Sequence, residues 1–512
     1  MARFDRRQFL RAIGAASIAS VLGPHIAATQ SRAADLDDLA ARLTGRLVRA
    51  SEPDFHAVPG PRTLRFARDL PLAVARCETP GDVAACISWA ARTATPLAVS
   101  GGQHNYEGYC TGPGLVISTR PMNRISADLD AGAAEIQAGA LNGELMTALR
   151  GSRWMLPIGT CPNVGVTGLL LGGGIGNNAR WAGITADHLR SVTIALASGD
   201  LVTATPDSDA DLFWACQGGG GSIGVVTSFT AALVEIPRQD IIVWEYRHQG
   251  AEYAAAAFAA YESVHRAAPP ELAGISSISS IPPSPGRVPI PASRLRDPRF
   301  VPGSSTFGCF IGSRADATDL IAPIAEAGPA YAGEVTELPF RDAQFDWLAT
   351  PPRDPHSWDD YARFAASDLP DDAAARIFER ILDCPVGDDR ISASFQYFGW
   401  VGGATQAAVA ADATAFPHRN VAGIIHTGIT WMPDAPADQV AAAAEWLEDA
   451  VALVDSITAP SAFVNWPNRR FSEYADAYWG ANLPRLSAVK ARVDPDGLFS
   501  HPQSIPLPGA AG

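Results

Sequence analysis

Apolar and polar positions fall into blocks of distinct period along the chain, and each period predicts an element. In "CETPGDVAACISWAARTATPLAV" (77–99), Val83, Ile87, Ala90 and Ala91 share one helical face. Thr79 and Asp82 have the spacing of a capping box and Pro80 suits the first helical position, so the segment reads as strand end, helix and strand. "GLVIST" reads as the next strand, and "AGAAEIQAGALNGELMTALRGSRWMLPIG" as strand, turn, helix and the approach to another strand. "VTIALASGDLVTAT" is two β-rich runs joined by a Ser-Gly-Asp turn, and "DLFWACQGGGGSIGVVTSFTAALVEI" carries glycines into a β-branched run. From about 68 to 238 the pattern predicts α+β structure with many short elements.

Beyond 239 the composition shifts. "SSISSIPPSPGRVPIPASRLRDPRFVPGSS" is rich in proline and serine and predicts an ordered loop at the edge of a second sheet, with a lid as the alternative. "ISASFQYFGWVGG" and "AGIIHTGITWM" read as strands and "PADQVAAAAEWLEDAVALVD" as an amphipathic helix, which together predict an antiparallel sheet covered by helices. No internal repeat is visible.

The chain has 512 residues, 47% of them hydrophobic, enough for two or more domains with their own cores. Its formal charge of -15 argues against nucleic acid or an anionic membrane as a standing partner and suits a small neutral or cationic substrate better. Lys490 is the only lysine, which argues against Schiff-base chemistry and leaves no Walker A motif. At the N-terminus "DRRQFL" sets Arg6 and Arg7 before the apolar run "AIGAASIASVLG", with small-residue cleavage sites after Ala28, Ala33 or Ala34. This resembles a twin-arginine export signal and implies a periplasmic or secreted protein that crosses the membrane already folded. Removing residues 1–34 would leave a charge of about -19, and no other apolar stretch is long enough to span a bilayer. Of the seven cysteines, Cys77 and Cys86 could pair in an oxidising compartment, a question spacing leaves open.

Two stretches fit the dinucleotide fingerprint, Gly174-Ile-Gly176-Asn-Asn-Ala179 and Gly219-Gly-Gly221-Ser-Ile-Gly224. The first runs into "RWAGITADH" and the second into "VVTSFT", so neither opens the long helix that NAD binding needs. Gly220-Gly-Ser222-Ile-Gly224 also fits a hydrolase nucleophile elbow, with His418 and His426 downstream. Val225, Val226 and Thr227 argue for a strand after the serine, which leaves a hydrolase built on Ser222 as a weak rival. The ten histidines show no close pair at metal-ligand spacing, so no metal is expected. Three glycine-rich stretches remain between residues 100 and 224: "SGGQHNYEG", "GTCPNVGVTGLLLGGGIGN" and "CQGGGGSIG". Each could be a tight turn, but together they offer backbone N–H groups suited to a pyrophosphate, and His104 and Cys161 lie inside two of them.

"GTCPNVGVTGLLLGGGIG", "DLFWACQGGGGSIGVVTSF", "ATAFPHRN" and "YADAYWGANLPRLSAVKARVDPDGLFSHPQSIP" together resemble the berberine bridge enzyme-like flavoproteins of the para-cresol methylhydroxylase/vanillyl-alcohol oxidase superfamily. The resemblance covers nearly the whole mature chain. It implies an α+β fold: a bipartite FAD-binding domain of the para-cresol methylhydroxylase type (35–238), an inserted substrate domain (239–455) and a C-terminal segment returning to the FAD domain (456–512). It also implies FAD bonded through His104 to the flavin 8α-methyl and through Cys161 to C6. Ser100, Gly101, Gly102, Gln103, Asn105, Val164, Gly165, Gly168, Gly173, Gly174, Gly176, Asn177, Gly224 and Val226 would surround that cofactor. Tyr106 resembles an active-site tyrosine of carbohydrate-oxidising members, and Val164 resembles the small gate residue of oxygen-reactive ones. The resemblance therefore implies a small-molecule oxidase using molecular oxygen, with a dehydrogenase passing electrons to another acceptor as the alternative.

Three further candidates come from the second sheet. Gln396 or Tyr397, and His426, could project over the flavin, although strand alternation forbids Gln396 and Tyr397 from doing so together. Two departures stand out. Gln103 occupies a position where glycine often precedes the histidine, and "FVNWPN" puts Phe463 and Trp466 where relatives carry the tyrosines of "YxNYxD". Phe463 cannot accept a proton, so Tyr106, Tyr397 or His426 would have to. An alcohol or amine on a secondary metabolite then becomes as reasonable a substrate as a sugar. The oligomeric state is not legible.

Overall fold

The computed structural model describes residues 35–509 apart from 54, 56–57, 59, 281–302, 349–355, 367 and 386–389. The twin-arginine segment lies outside the described residues. The first sheet has strand order β1-β2-β4-β3, from β1 (Arg46–Arg49), β2 (Ala73–Arg76), β3 (Leu97–Ser100) and β4 (Leu115–Ser118). The helix Pro80–Thr93 joins β2 to β3, and β4 pairs in parallel with both. Its N-terminus is the capping box read from the sequence. Asp82 N–H donates to Thr79 Oγ1, and Asp82 Oδ2 accepts from the N–H groups of Thr79, Glu78 and Gly45.

A five-stranded antiparallel sheet follows in order β5-β6-β10-β8-β9, from β5 (Ile125–Asp128), β6 (Ala133–Gln137), β8 (Leu189–Ala195), β9 (Leu201–Ala204) and β10 (Val225–Ala232). A small ribbon pairs β7 (Trp154–Met155) with β11 (Val234–Glu235). The glycines of "CQGGGGSIG" lead directly into β10, and the helix that directly follows Gly176 is the single turn Ala179–Ala182. Both contexts lack the long helix of a dinucleotide fingerprint.

The third sheet is wholly antiparallel, in order β15-β12-β14-β13-β17-β18-β16. Its strands are β12 (Asp240–Gln249), β13 (Leu272–Ser279), β14 (Gly303–Phe310), β15 (Ala330–Pro339), β16 (Ser357–Ala365), β17 (Ile391–Gly399) and β18 (Gly423–Trp431). The helices Ala251–Ala267, Arg314–Ala325, Ala373–Leu382 and Ala437–Ile457 pack on it. The opposite side carries Val243, Ala273, Phe364 and Phe398, which join Ile175, Ile184, Phe416 and Phe463 in one apolar cluster. The proline/serine-rich stretch departs from the single loop read from the sequence. Its first serines close β13 and its last open β14, because they alternate within the pleat, while the residues between lie outside the described set.

The C-terminal helix Leu483–Val493 packs on the helix Ala210–Ala215, and its Lys490 is buried. The Lys490 ammonium donates to Ser222 O (2.6 Å), Phe499 O (2.8 Å) and the Asp494 carboxylate.

Candidate functional site

The loop after β3 reverses direction through Gln103, whose φ is +59°. That is the left-handed region, which costs a non-glycine residue roughly 1 kcal/mol and explains why glycine suits the position. Asn105 Oδ1 accepts from the N–H groups of Glu107 and Tyr109 and fixes the following turn. The loop carrying Cys161 is pinned in its turn by Asn142, whose Nδ2 donates to Gly159 O and Cys161 O while its N–H donates to Val164 O. The two loops pack closely: a Cβ on Gly102 would lie 2.2 Å from Gly165 N.

These loops, the glycines before β10, the C-terminal segment and the bare face of the third sheet enclose a cavity of about 950 Å³. That is at the upper end of ligand-cavity sizes and suits a large cofactor together with a substrate. His104, Tyr106, Cys161 and Val164 all line it. His104 Nε2–H donates to Asn163 Oδ1 at 2.7 Å, and burial pushes the imidazole pKa down to about 4, so the ring is neutral at ordinary pH. Neutral and held at Nε2, it keeps its lone pair on Nδ1. Cys161 is half-buried, whereas Cys77, Cys86, Cys110, Cys216 and Cys309 are buried and burial pushes Cys110 up to about 11 and Cys216 to about 12. No disulfide joins the seven cysteines, and the Cys77 and Cys86 sulfurs stand 4.0 Å apart.

Tyr106 stacks on Trp466 (centroids 6.3 Å) and meets Trp358 edge-on. Burial holds its phenol well above the ordinary tyrosine range, and the nearby Asp360 and Cys161 charges push the same way. Phe463 and Trp466 also face the cavity, so no phenol stands at the "FVNWPN" positions. Next to Tyr106, Glu107 is buried against Arg469 (2.8 Å), tying this loop to the C-terminal segment.

The structure brings Gly101, Gly102, Gln103, Asn105, Gly165, Gly168, Gly224, Val226 and Gln396 to the cavity wall. Others read from the sequence are not there. Tyr397 is turned to the opposite face of β17, where its O–H donates to Ala422 O and its ring packs on Phe258 and Tyr261 of the helix Ala251–Ala267. Alternation assigns the cavity to Gln396 and the helical layer to Tyr397. His426 sits behind the wall, against Phe398 and Trp466, with Nε2 3.5 Å from Asp360 Oδ2. Ser100 is buried, and its carbonyl is taken up by Thr119 N–H. Gly173, Gly174 and Gly176 are packed away from the wall, since a Cβ on Gly173 would meet Phe416, on Gly174 Thr185, and on Gly176 the Ile158 carbonyl, and Asn177 is buried and does not line the cavity. Ser222 Oγ accepts from Ile505 N–H in a buried turn, and His418 is bonded to Tyr478 O, so no Ser-His pair forms a hydrolase site. Among the described residues no cluster of three His, Cys, Asp or Glu could hold a metal, and no helix is long and apolar enough to cross a membrane. Sequence reasoning missed Asn142, Asn163 and Glu245; Asn163 alone had a local signal, two residues from Cys161.

A family model described as FAD binding domain matches residues 71–205, and one described as berberine and berberine like matches residues 462–506. The chain is 30% identical over 478 residues to the uncharacterized FAD-linked oxidoreductase YgaK of Bacillus subtilis, covering 91% of this chain and 97% of that protein. Among solved structures, Physcomitrella patens BBE-like 1 superposes with a TM-score of 0.78 at 21% identity, covering 92% and 99% of the two chains. Glucooligosaccharide oxidase from Acremonium strictum, described with a 6-S-cysteinyl, 8α-N1-histidyl FAD, superposes with a TM-score of 0.79 at 23% identity over 92% and 98%.

Proposed function

The chain belongs to the berberine bridge enzyme-like FAD-linked oxidoreductases, and on that premise we propose that it is an exported oxidase holding FAD through His104 and Cys161 and oxidising an alcohol-type carbon. The convergence of His104 and Cys161 on one cavity wall carries this reading. The cavity fits the group: a Cβ on Gly168 or Gly221 would meet nothing within 4 Å, so these bare backbone stretches leave room for a flat ring and a pyrophosphate. The reading divides the chain into an FAD-binding part (35–238), a substrate part (239–455) and a returning segment (456–512).

When bound, flavin accepts a hydride from the substrate carbon and passes the electron pair to oxygen, giving hydrogen peroxide. The chain's own task is orientation. Asn163 holds the His104 tautomer that leaves Nδ1 to form the bond. Tyr106, protonated across the working range, offers its hydroxyl to the reacting oxygen, and Gln396 approaches from the sheet. Val164 keeps the space beside Cys161 open to oxygen. The substrate is a sugar or a hydroxylated secondary metabolite.

The test is flavin retention after acid denaturation. Yellow colour should stay with the wild-type pellet, persist in His104→Ala and Cys161→Ala singly, and wash out of the double variant. Flavin in the wild-type supernatant would refute the attachment, and its complete absence the cofactor. Substrate-dependent oxygen uptake then separates oxidase from dehydrogenase.

A further inference from the structure

His104 and Tyr106 share a short loop that is fastened along its length by residues from elsewhere in the chain. At its start the Gln103 carbonyl accepts from Arg62 N–H (3.0 Å). At its end Gly108, with φ +72°, lies against Phe66, whose ring a Cβ there would meet at 2.5 Å. Between these points the side chain of Glu107 turns inward and is 2% exposed.

Both carboxylate oxygens and the backbone carbonyl of Glu107 are engaged by one residue that comes 362 positions later. Arg469 N–H donates to Glu107 Oε1 (3.3 Å), Arg469 Nη2 donates to Glu107 O (3.4 Å), and Arg469 Nε stands 2.8 Å from Oε2. Arg65 approaches from the other side: its Nη2 is 3.9 Å from Oε2, while its Nη1 donates to Asp359 Oδ1 (3.2 Å) and Trp358 O (3.4 Å). The Arg65 and Arg469 guanidinium groups both lie over the Phe66 ring, at 5.1 and 5.3 Å. Three residues before Arg469, Trp466 stacks on Tyr106. The C-terminal segment thus grips this loop at two successive residues, by a stack and by a buried ion pair. A carboxylate this deep is costly without its partner, so the shape of the loop depends on that segment being in place.

We propose that Glu107 is a positioning residue for flavin attachment: clasped by Arg469, it sets the loop that presents His104, so the bond through His104 forms at full rate only once the C-terminal segment has docked. The bond through Cys161 does not wait for it, because that loop is pinned by Asn142. In the His104 step an 8α C–H and the imidazole N–H are broken and a C–Nδ1 bond forms; the two protons and two electrons released pass to the flavin ring and then to oxygen as hydrogen peroxide. The inference rests on the proposed attachment at both residues.

The experiment adds FAD to flavin-free full-length protein and follows attachment by mapping flavin-bearing peptides, with one attachment residue present at a time. In the Cys161→Ala chain, where His104 remains, Glu107→Gln and Arg469→Met should each slow bonding roughly tenfold, the worth of one hydrogen bond to a charged group. In the His104→Ala chain, where Cys161 remains, the same substitutions should leave the rate unchanged. Glu107→Gln/Arg469→Met should be no slower through His104 than either single variant, because the two residues act as a pair. It also removes both partners, which keeps the test open if a single variant strands the other charge and fails to fold. The inference is overturned if both attachment rates fall together, the mark of a merely structural clasp, if neither falls, or if the double variant multiplies the two effects. If the Cys161→Ala chain itself never bonds flavin, the proposed attachment fails and takes the inference with it, an outcome visible before Glu107 is touched.

Discussion

His104 shows how one hydrogen bond can decide what a residue does. Asn163 Oδ1 accepts from the His104 Nε2–H at 2.7 Å, and burial keeps the ring neutral, so the reactive lone pair is on Nδ1 by construction. Asn163→Leu should slow attachment through His104 roughly five- to tenfold, the worth of about 1 kcal/mol, while Cys161 attachment persists. Peptide mapping of flavin-bearing fragments during reconstitution would show it, and equal rates at both residues would refute the role. Tyr106 supports a second expectation. Its phenol is held above the ordinary range by burial, so it acts as a protonated hydrogen-bonding group. Tyr106→Phe should lower the rate of flavin reduction roughly tenfold to hundredfold without moving the pH profile below pH 9. An alkaline limb that disappears with the substitution would mean that the phenolate is the working form.

Among the elements, the helix Pro80–Thr93 is the clearest test of local signals. Asp82 collects backbone N–H groups from Thr44, Gly45, Glu78 and Thr79. Burial alone would raise its pKa, but these bonds outweigh burial and lower it. Its contribution is therefore present above the ordinary aspartate value and lost as pH falls through the lowered one. Thr79→Ala should cost about 1 kcal/mol and Asp82→Ala more, since it leaves several donors unanswered; urea denaturation at pH 7 compares them. This helix was legible because Thr79, Pro80 and Asp82 are neighbours in sequence. The strands were legible by alternation, as was the rule that only one of Gln396 and Tyr397 reaches the cavity. Which one does was not, because both neighbours of β17, a helical layer and an aromatic cavity, accept a tyrosine. Asn163 meeting His104 across 59 residues, and Glu245 turned to the cavity from a strand that also carries Arg247 and His248, are products of packing that no local period announces.

At the scale of the whole molecule, the C-terminal segment is held to the glycine loop by the chain's only lysine. Lys490 is buried with Asp494, and two of its three donated bonds go to carbonyls of Ser222, in the loop before β10, and Phe499, in the tail. Burial lowers its pKa and Asp494 opposes that, so the pair holds only while both partners are present. Lys490→Met should destabilise by roughly 3–5 kcal/mol, because Asp494 is left as an unpaired buried charge. Lys490→Met/Asp494→Leu should recover part of this in thermal unfolding. The cavity supplies a second readout, since Gly219, Gly220, Gly221 and Ser222 all line it. In a His104→Ala/Cys161→Ala background, where flavin would be held by contacts alone, adding Lys490→Met should weaken FAD binding roughly tenfold by loosening that loop. If stability falls while FAD affinity is unchanged, Lys490 anchors only the tail, and the loop before β10 keeps its shape through Ile505 N–H and Ser222 Oγ without help from the C-terminal helix.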